Sequence, residues 1–311
     1  MAGELDSQPK DKPEDLTILL REKLRSPSPV AIFIAGPMGS GKNHLANELL
    51  AYAQQSSMPE TAEDYNPTFL EDIVDNNTDG ILQERNDEDT PPFTNDQGDQ
   101  RPDHDSSGNI VHLDIDFDVI RRESDKSGAS KWFRLALHYI KALKEGKSVI
   151  LSGTAHYPNT RKFFSELHNG SDFAADHLFA LYSLTHASEG SDEYYDDLDE
   201  RDQILLAELG IRRDSPQSRL TYDHFKDLTR EINEKSRYKH SFIGIWIHLP
   251  IEEAWNSANA RQGHIDTPDY PVFQNWFETF EKFGGLSKVA SDGWHILEGR
   301  DATDTLIHEL D

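Results

Sequence analysis

The residues with the most definite chemical meaning are Gly36-Pro37-Met38-Gly39-Ser40-Gly41-Lys42, set between an apolar run, Val30–Ala35, and a stretch with Leu45, Leu49 and Ala53 at helical spacing. Glycines at this spacing let backbone N–H groups turn inward around a phosphate, and a helix beginning at the end of the loop adds the positive end of its dipole. A lysine at that helix start reaches toward the terminal phosphate. The pattern G-x-x-x-x-G-K-[ST] therefore assigns Gly36, Met38, Gly39, Ser40, Gly41, Lys42, Asn43 and His44 to nucleotide-phosphate binding, with Lys42 also a catalytic candidate. Position 43 breaks the pattern. A Ser or Thr hydroxyl there is a direct Mg2+ ligand, and Mg2+ demands octahedral oxygen geometry at about 2.1 Å. Asn43 offers a carbonyl oxygen on a longer, branched side chain. Three accounts fit: impaired metal binding in a natural protein without turnover, a Ser-to-Asn change made to trap an inactive state, and compensation by Ser40 and nearby carboxylates.

A second constellation follows an apolar strand: His112-Leu113-Asp114-Ile115-Asp116-Phe117-Asp118-Val119-Ile120-Arg121. Its carboxylates come at the carboxyl end of that strand, the edge at which open α/β sheets build sites. Phosphoryl transfer to a hydroxyl needs one carboxylate to accept the proton and often another to order metal-bound water. Asp114 and Asp116 join Asn43 as metal-ligand candidates, and Arg121 can hold an anionic acceptor. The structural alternative is an acidic strand end in which Asp118 caps the next helix. Farther on, Arg261 lies in Ala258–His264, before the turn Asp266–Pro271. A lid at that position brings an Arg to the transferring group, so Arg261 is a catalytic candidate. An ordinary helix-terminal Arg complementing the dipole is its alternative.

Taken together, the loop, Asp116-Phe117-Asp118-x-x-Arg121 and Ile150-Leu151-Ser152-Gly153-Thr154 resemble the zeta-toxin family of P-loop kinases. The D-x-D-x-x-R part is also similar to adenylylsulfate kinases and other small-molecule P-loop kinases. The resemblance implies a P-loop kinase core, ATP or another NTP as donor, Mg2+, and a small acceptor bearing a hydroxyl, which in zeta toxins is a UDP-activated amino sugar. It implies that one of Asp116 and Asp118 is the base, Asp116 first, that Arg121 touches the acceptor, and that Ser152 and Thr154 lie on the acceptor side. The family usually has Glu where this chain has Ser152, a second departure beside Asn43. The likeness covers five strands and their helices, about half of the chain.

These residues need a scaffold, and the sequence outlines one. Apolar runs of strand length recur at Val30–Ala35, from Ile110, at Lys147–Ser152, at Phe242–His248 and at Trp294–Leu297. Between them lie helical patterns at 15–26, 42–54, 129–144, 159–168, 251–260 and 302–310. Strands alternating with helices predict a three-layer α/β fold with a five-stranded parallel sheet. Residues 1–15 read as a disordered lead-in, and 16–311 as a single domain with two acidic insertions. The first, about 55–108, is dense in Asp and Glu with only Arg85 and Arg101 opposing them, a composition that cannot bury enough apolar surface to order itself. The second, 170–240, is mostly helical and includes the acidic stretch 188–202. Among the 14 His no metal-ligand spacing appears, and His112 and His248 read as structural. Adenine contact is placed near Arg300–Thr303.

Composition narrows the partners. Asp and Glu outnumber Lys and Arg by 57 to 31, giving a net charge of -26. That field repels nucleic-acid backbones and anionic membranes, so neither is an expected partner. The same argument counts against a polynucleotide 5′-kinase, which would share the loop and the Asp–Arg logic. There is no Cys, which excludes disulfides and thiolate chemistry. No apolar run approaches the roughly 20 residues of a membrane helix, and no targeting pattern opens the chain, so a cytoplasmic protein is expected. The alternative to a kinase is a catalytically silent nucleotide-binding protein with a protein partner engaged through the acidic segments.

Overall fold

The structure is a computed structural model and describes residues 13–56, 110–114, 128–167, 169, 171–186, 200–211, 220–235, 241–260 and 269–310. These residues belong to one compact unit. Residues 1–12, most of the expected first insertion, the stretch 187–199, and Asp116, Asp118, Arg121 and Arg261 lie outside the described residues.

Five strands form the sheet: β1 (Val30–Ala35), β2 (Ile110–Asp114), β3 (Ser148–Gly153), β4 (Ser241–His248) and β5 (His295–Glu298). Their order is β2-β3-β1-β4-β5 and every pairing is parallel. The sequence pattern gave five strands in a parallel sheet, and that is what is found. β1 is buried along its whole length because both faces are covered. Val30, Ile32 and Ile34 enter one hydrophobic cluster, while Ala31, Phe33 and Ala35 enter the other. Gly244 in β4 serves this packing. A Cβ there would lie 2.3 Å from a ring carbon of Trp294, whose indole also meets Phe33 edge-on at 5.2 Å.

On one face lie α1 (Pro13–Arg25), α2 (Lys42–Ser56) and α11 (Gly299–Leu310), contributing Leu16, Leu20, Leu45, Leu49 and Leu306. The other face carries α3 (Gly128–Lys144), α4 (Pro158–Leu167), α5 (Asp172–His186), α6 (Glu200–Glu208), α7 (Tyr222–Lys235), α9 (Tyr270–Lys282) and α10 (Gly285–Ser291). The remaining helix, α8 (Ile251–Asn259), follows β4. Within the stretch 170–240, Leu178, Leu206 and Phe225 are fully buried in the same core as Phe133 and Leu137 of α3. α9 begins at Tyr270, within the stretch 266–271 expected from sequence to be a turn, with a proline in its first turn, where a missing N–H costs no helix bond. Among the described residues no helix is long and apolar enough to cross a membrane.

The order of strands decides where a site can form. The chain leaves β1 toward β2 on one side of the sheet and leaves β4 toward β5 on the other. Neighbouring strands whose connections diverge open a crevice at their carboxyl ends. Here that crevice lies between β1 and β4.

Candidate functional site

The glycine loop leaves β1 at this crevice. Gly36 directly follows Ala35, which pairs with Gly153 on one side and Trp246 on the other. Gly39 has φ +80, and a Cβ on it would come 2.4 Å from the Ala254 carbonyl oxygen of α8. No other residue lets the loop lie this close to that helix. Gly41, at φ +91, differs: its missing Cβ faces open space. The loop is therefore pressed against the protein at Gly39 and open at Gly41.

Three anchors hold it. The Lys42 ammonium donates to the Pro37 carbonyl at 2.9 Å, and the Ser40 N–H donates to the same oxygen at 3.2 Å. Met38 packs against a small cluster of Leu249, Ala254, Ala258 and Phe273, roofed by Trp255 and Phe277. From α11, Arg300 donates to the Gly39 carbonyl at 3.4 Å and to the Ser257 hydroxyl. Arg300 thus joins the loop, α8 and α11. Thr303, in the region expected to meet adenine, is buried and turns its hydroxyl to the Gly299 carbonyl of its own helix.

Lys42 opens α2 and is only 4% exposed. Asn43 is half-buried in the first turn, and exposed His44 lies 3.8 Å from Glu48. An anion at this point meets backbone N–H groups, the positive end of α2 and a buried ammonium. Gly41's open side and the buried Lys42 fit a phosphate. Among the described residues no group of three or more His, Asp or Glu is arranged to hold a metal ion, and position 43 brings no hydroxyl.

The metal candidate Asp114 and the acceptor-side candidates Ser152 and Thr154 share the same edge. Asp114 ends β2 in register with Ser152, which is in register with Ile34 of β1. Ser152 is completely buried and its hydroxyl lies 3.2 Å from His112 Nε2. Thr154 is half-buried one residue past β3. The register thus brings Asp114, Ser152 and the loop to one edge of the sheet.

Two residues that sequence reasoning missed shape this edge. Arg161 in α4 is 1% exposed, and its guanidinium donates to the carbonyls of Ala155 and His156 at 3.0 and 3.1 Å. It stacks 5.5 Å from the Trp246 ring and pairs with Asp292 at 3.7 Å. The clamp fixes the segment carrying Thr154. Its signal was present: Arg161 sits three residues before Phe164, on the helix face that must point inward. The second is His156, against Trp276 at 5.0 Å and Tyr157 at 4.0 Å. Burial, then the Arg161 cation, pushes its pKa down to about 4, partly offset by a backbone hydrogen bond with Thr154.

That depressed pKa has a direct consequence. The unfolded chain takes up the proton from about pH 6.5 downward and the folded chain only near pH 4, so stability falls as pH drops through that window. Between pH 7.5 and 5 the expected loss from His156 is about 1–2 kcal/mol, allowing for its partial exposure. Partial burial lowers His177 and His248 as well, adding in the same direction. Urea unfolding at the two pH values measures the loss, and His156→Gln should flatten it. An unchanged pH dependence in that variant would contradict the assignment.

Comparison with protein-family models and with curated proteins finds no match to this chain.

Proposed function

We propose that this chain binds a nucleoside triphosphate at the loop Gly36–Lys42 and transfers its terminal phosphoryl group to a hydroxyl of a small molecule, in the manner of P-loop kinases. The observation that carries the reading is the loop itself: a positive-φ glycine turn at the crevice between β1 and β4, open at Gly41, with buried Lys42 at the start of α2. Lys42 offsets charge on the phosphates. In the transfer, the acceptor oxygen forms a bond to the terminal phosphorus while the bond to the nucleoside diphosphate oxygen breaks. The hydroxyl proton goes to a carboxylate, for which Asp116 is the sequence-based candidate. Arg121 and Arg261 are the sequence-based candidates for holding the acceptor and the transferring group. Mg2+, for which Asn43, Asp114 and Asp116 are the sequence-based ligand candidates, would supply charge neutralisation at the phosphates.

Asn43 favours a second reading, nucleotide binding without turnover. Asn43→Ser distinguishes the two. The expected result is Mg2+-dependent ADP formation with at least one hydroxyl acceptor, at ten times the parent rate or more, because the restored hydroxyl completes a metal ligand. A variant that binds nucleotide yet forms no ADP with any sugar, nucleoside or polyol acceptor would leave the binding reading and remove the kinase.

A further inference from the structure

Between Gly36 and Gly41 the loop has one polar side chain, Ser40. It is 1% exposed, and its hydroxyl makes no hydrogen bond to any described residue. Leaving a hydroxyl unsatisfied inside a protein costs stability, and Ala at this position would avoid the cost. The local geometry explains why the hydroxyl stays open. The nearby Pro37 carbonyl already accepts from the Ser40 N–H and from the Lys42 ammonium. The Ser40 Oγ lies 3.0 Å from the point where a Cβ on Gly36 would stand, a point itself 2.4 Å from the Ile247 carbonyl oxygen. The hydroxyl therefore lies beside Gly36 and the carboxyl end of β4, inside the loop from which α2 starts.

We propose that the Ser40 hydroxyl donates directly to a phosphate oxygen of the nucleotide, so that this loop holds phosphate without needing a metal ion. The inference rests on the nucleotide reading above and adds a side-chain contact from Ser40 and a metal-independent mode of recognition. It matches the composition of the loop. With Asn at position 43 the usual hydroxyl for the metal is missing, and a hydroxyl three residues earlier meets the phosphate itself. The ligand class is a nucleoside di- or triphosphate in which the phosphate chain, rather than a metal–phosphate complex, is recognised.

The test uses the full chain, ADP as probe, and calorimetric Kd values with either EDTA or Mg2+ present. Ser40→Ala should weaken ADP binding by about 3- to 10-fold in EDTA, the worth of a neutral hydrogen bond, and by the same factor in Mg2+. Its unliganded melting temperature should equal or exceed the parent's, because an unsatisfied buried hydroxyl has been removed. Ser40→Cys, close in shape but a weak donor, should show the same loss and guards against a packing effect of Ala. Unchanged ADP affinity in both variants overturns the proposal. So does a loss confined to Mg2+, since the hydroxyl would then be a metal ligand. If the parent chain binds no ADP under either condition, the nucleotide reading itself falls, an outcome distinct from both.

Discussion

Lys42→Met should raise the Kd for ADP by about 10- to 100-fold while leaving the unliganded protein folded. A hydrogen bond to a charged group contributes about 1.5–3 kcal/mol, and each 1.4 kcal/mol is a factor of ten. Lys42 is placed to realise that value because its ammonium is almost wholly removed from solvent and already held inside the loop by the Pro37 carbonyl. Little water competes there, and salt screens a buried charge weakly. Met keeps the apolar stem, so packing under the loop is conserved. Burying an ammonium costs solvation that Met does not lose, so the variant's unliganded melting temperature should stay within about 2 °C of the parent's. A thermal-shift titration reads the binding loss directly, because stabilisation follows the ratio of ligand concentration to Kd. Equal ADP stabilisation of parent and variant would show that the phosphates are not held at this loop.

The largest stability effect belongs to a pair far from the loop. Arg134 of α3 and Asp202 of α6 form a two-point ion pair, Nε to Oδ1 at 2.7 Å and Nη2 to Oδ2 at 3.2 Å, with side chains only 7% and 4% exposed. Asp202→Ala would leave a guanidinium buried without its carboxylate, at a cost of about 3–5 kcal/mol. For a domain of this size that lowers the melting temperature by roughly 10 °C. Replacing both residues with apolar ones, Arg134→Met with Asp202→Leu, should recover most of the loss, since the buried pair is worth little more than well-packed hydrocarbon. Chemical denaturation of the two singles and the double gives the coupling. A single-variant loss below 1 kcal/mol would mean that α6 is not fastened to α3 through this pair.

How much of this could be read in advance depends on how far apart the interacting residues lie. Strand β1 and its loop were legible because every relevant signal is local: a continuous apolar run, glycines where φ must be positive, and a lysine at a helix start. The helices α5 and α9 were harder. α5 is apolar around most of its circumference, so the polar stripe that marks a helix face is weak, and α9 starts at a proline that reads as a turn. Among the described residues strand β2 pairs with β3 from Ile110 to Asp114.

By itself, then, the sequence determined the periodicities that make five buried strands, the glycine-lysine loop with its missing hydroxyl at position 43, and an acidic charge unsuited to polyanions. The tertiary structure decided that β1 lies between β3 and β4, and hence that the loop opens at a crevice. It also decided that Gly39 is pinned by Arg300, 261 positions away, and that Arg161 clamps the segment after β3. That the Ser40 hydroxyl is buried without a partner among the described residues was likewise settled only there. The physical reason is the same in each case. Conformational preference is set by neighbours along the chain, whereas a hydrogen-bond partner, or the lack of one, is set by whatever distant segment packing brings alongside.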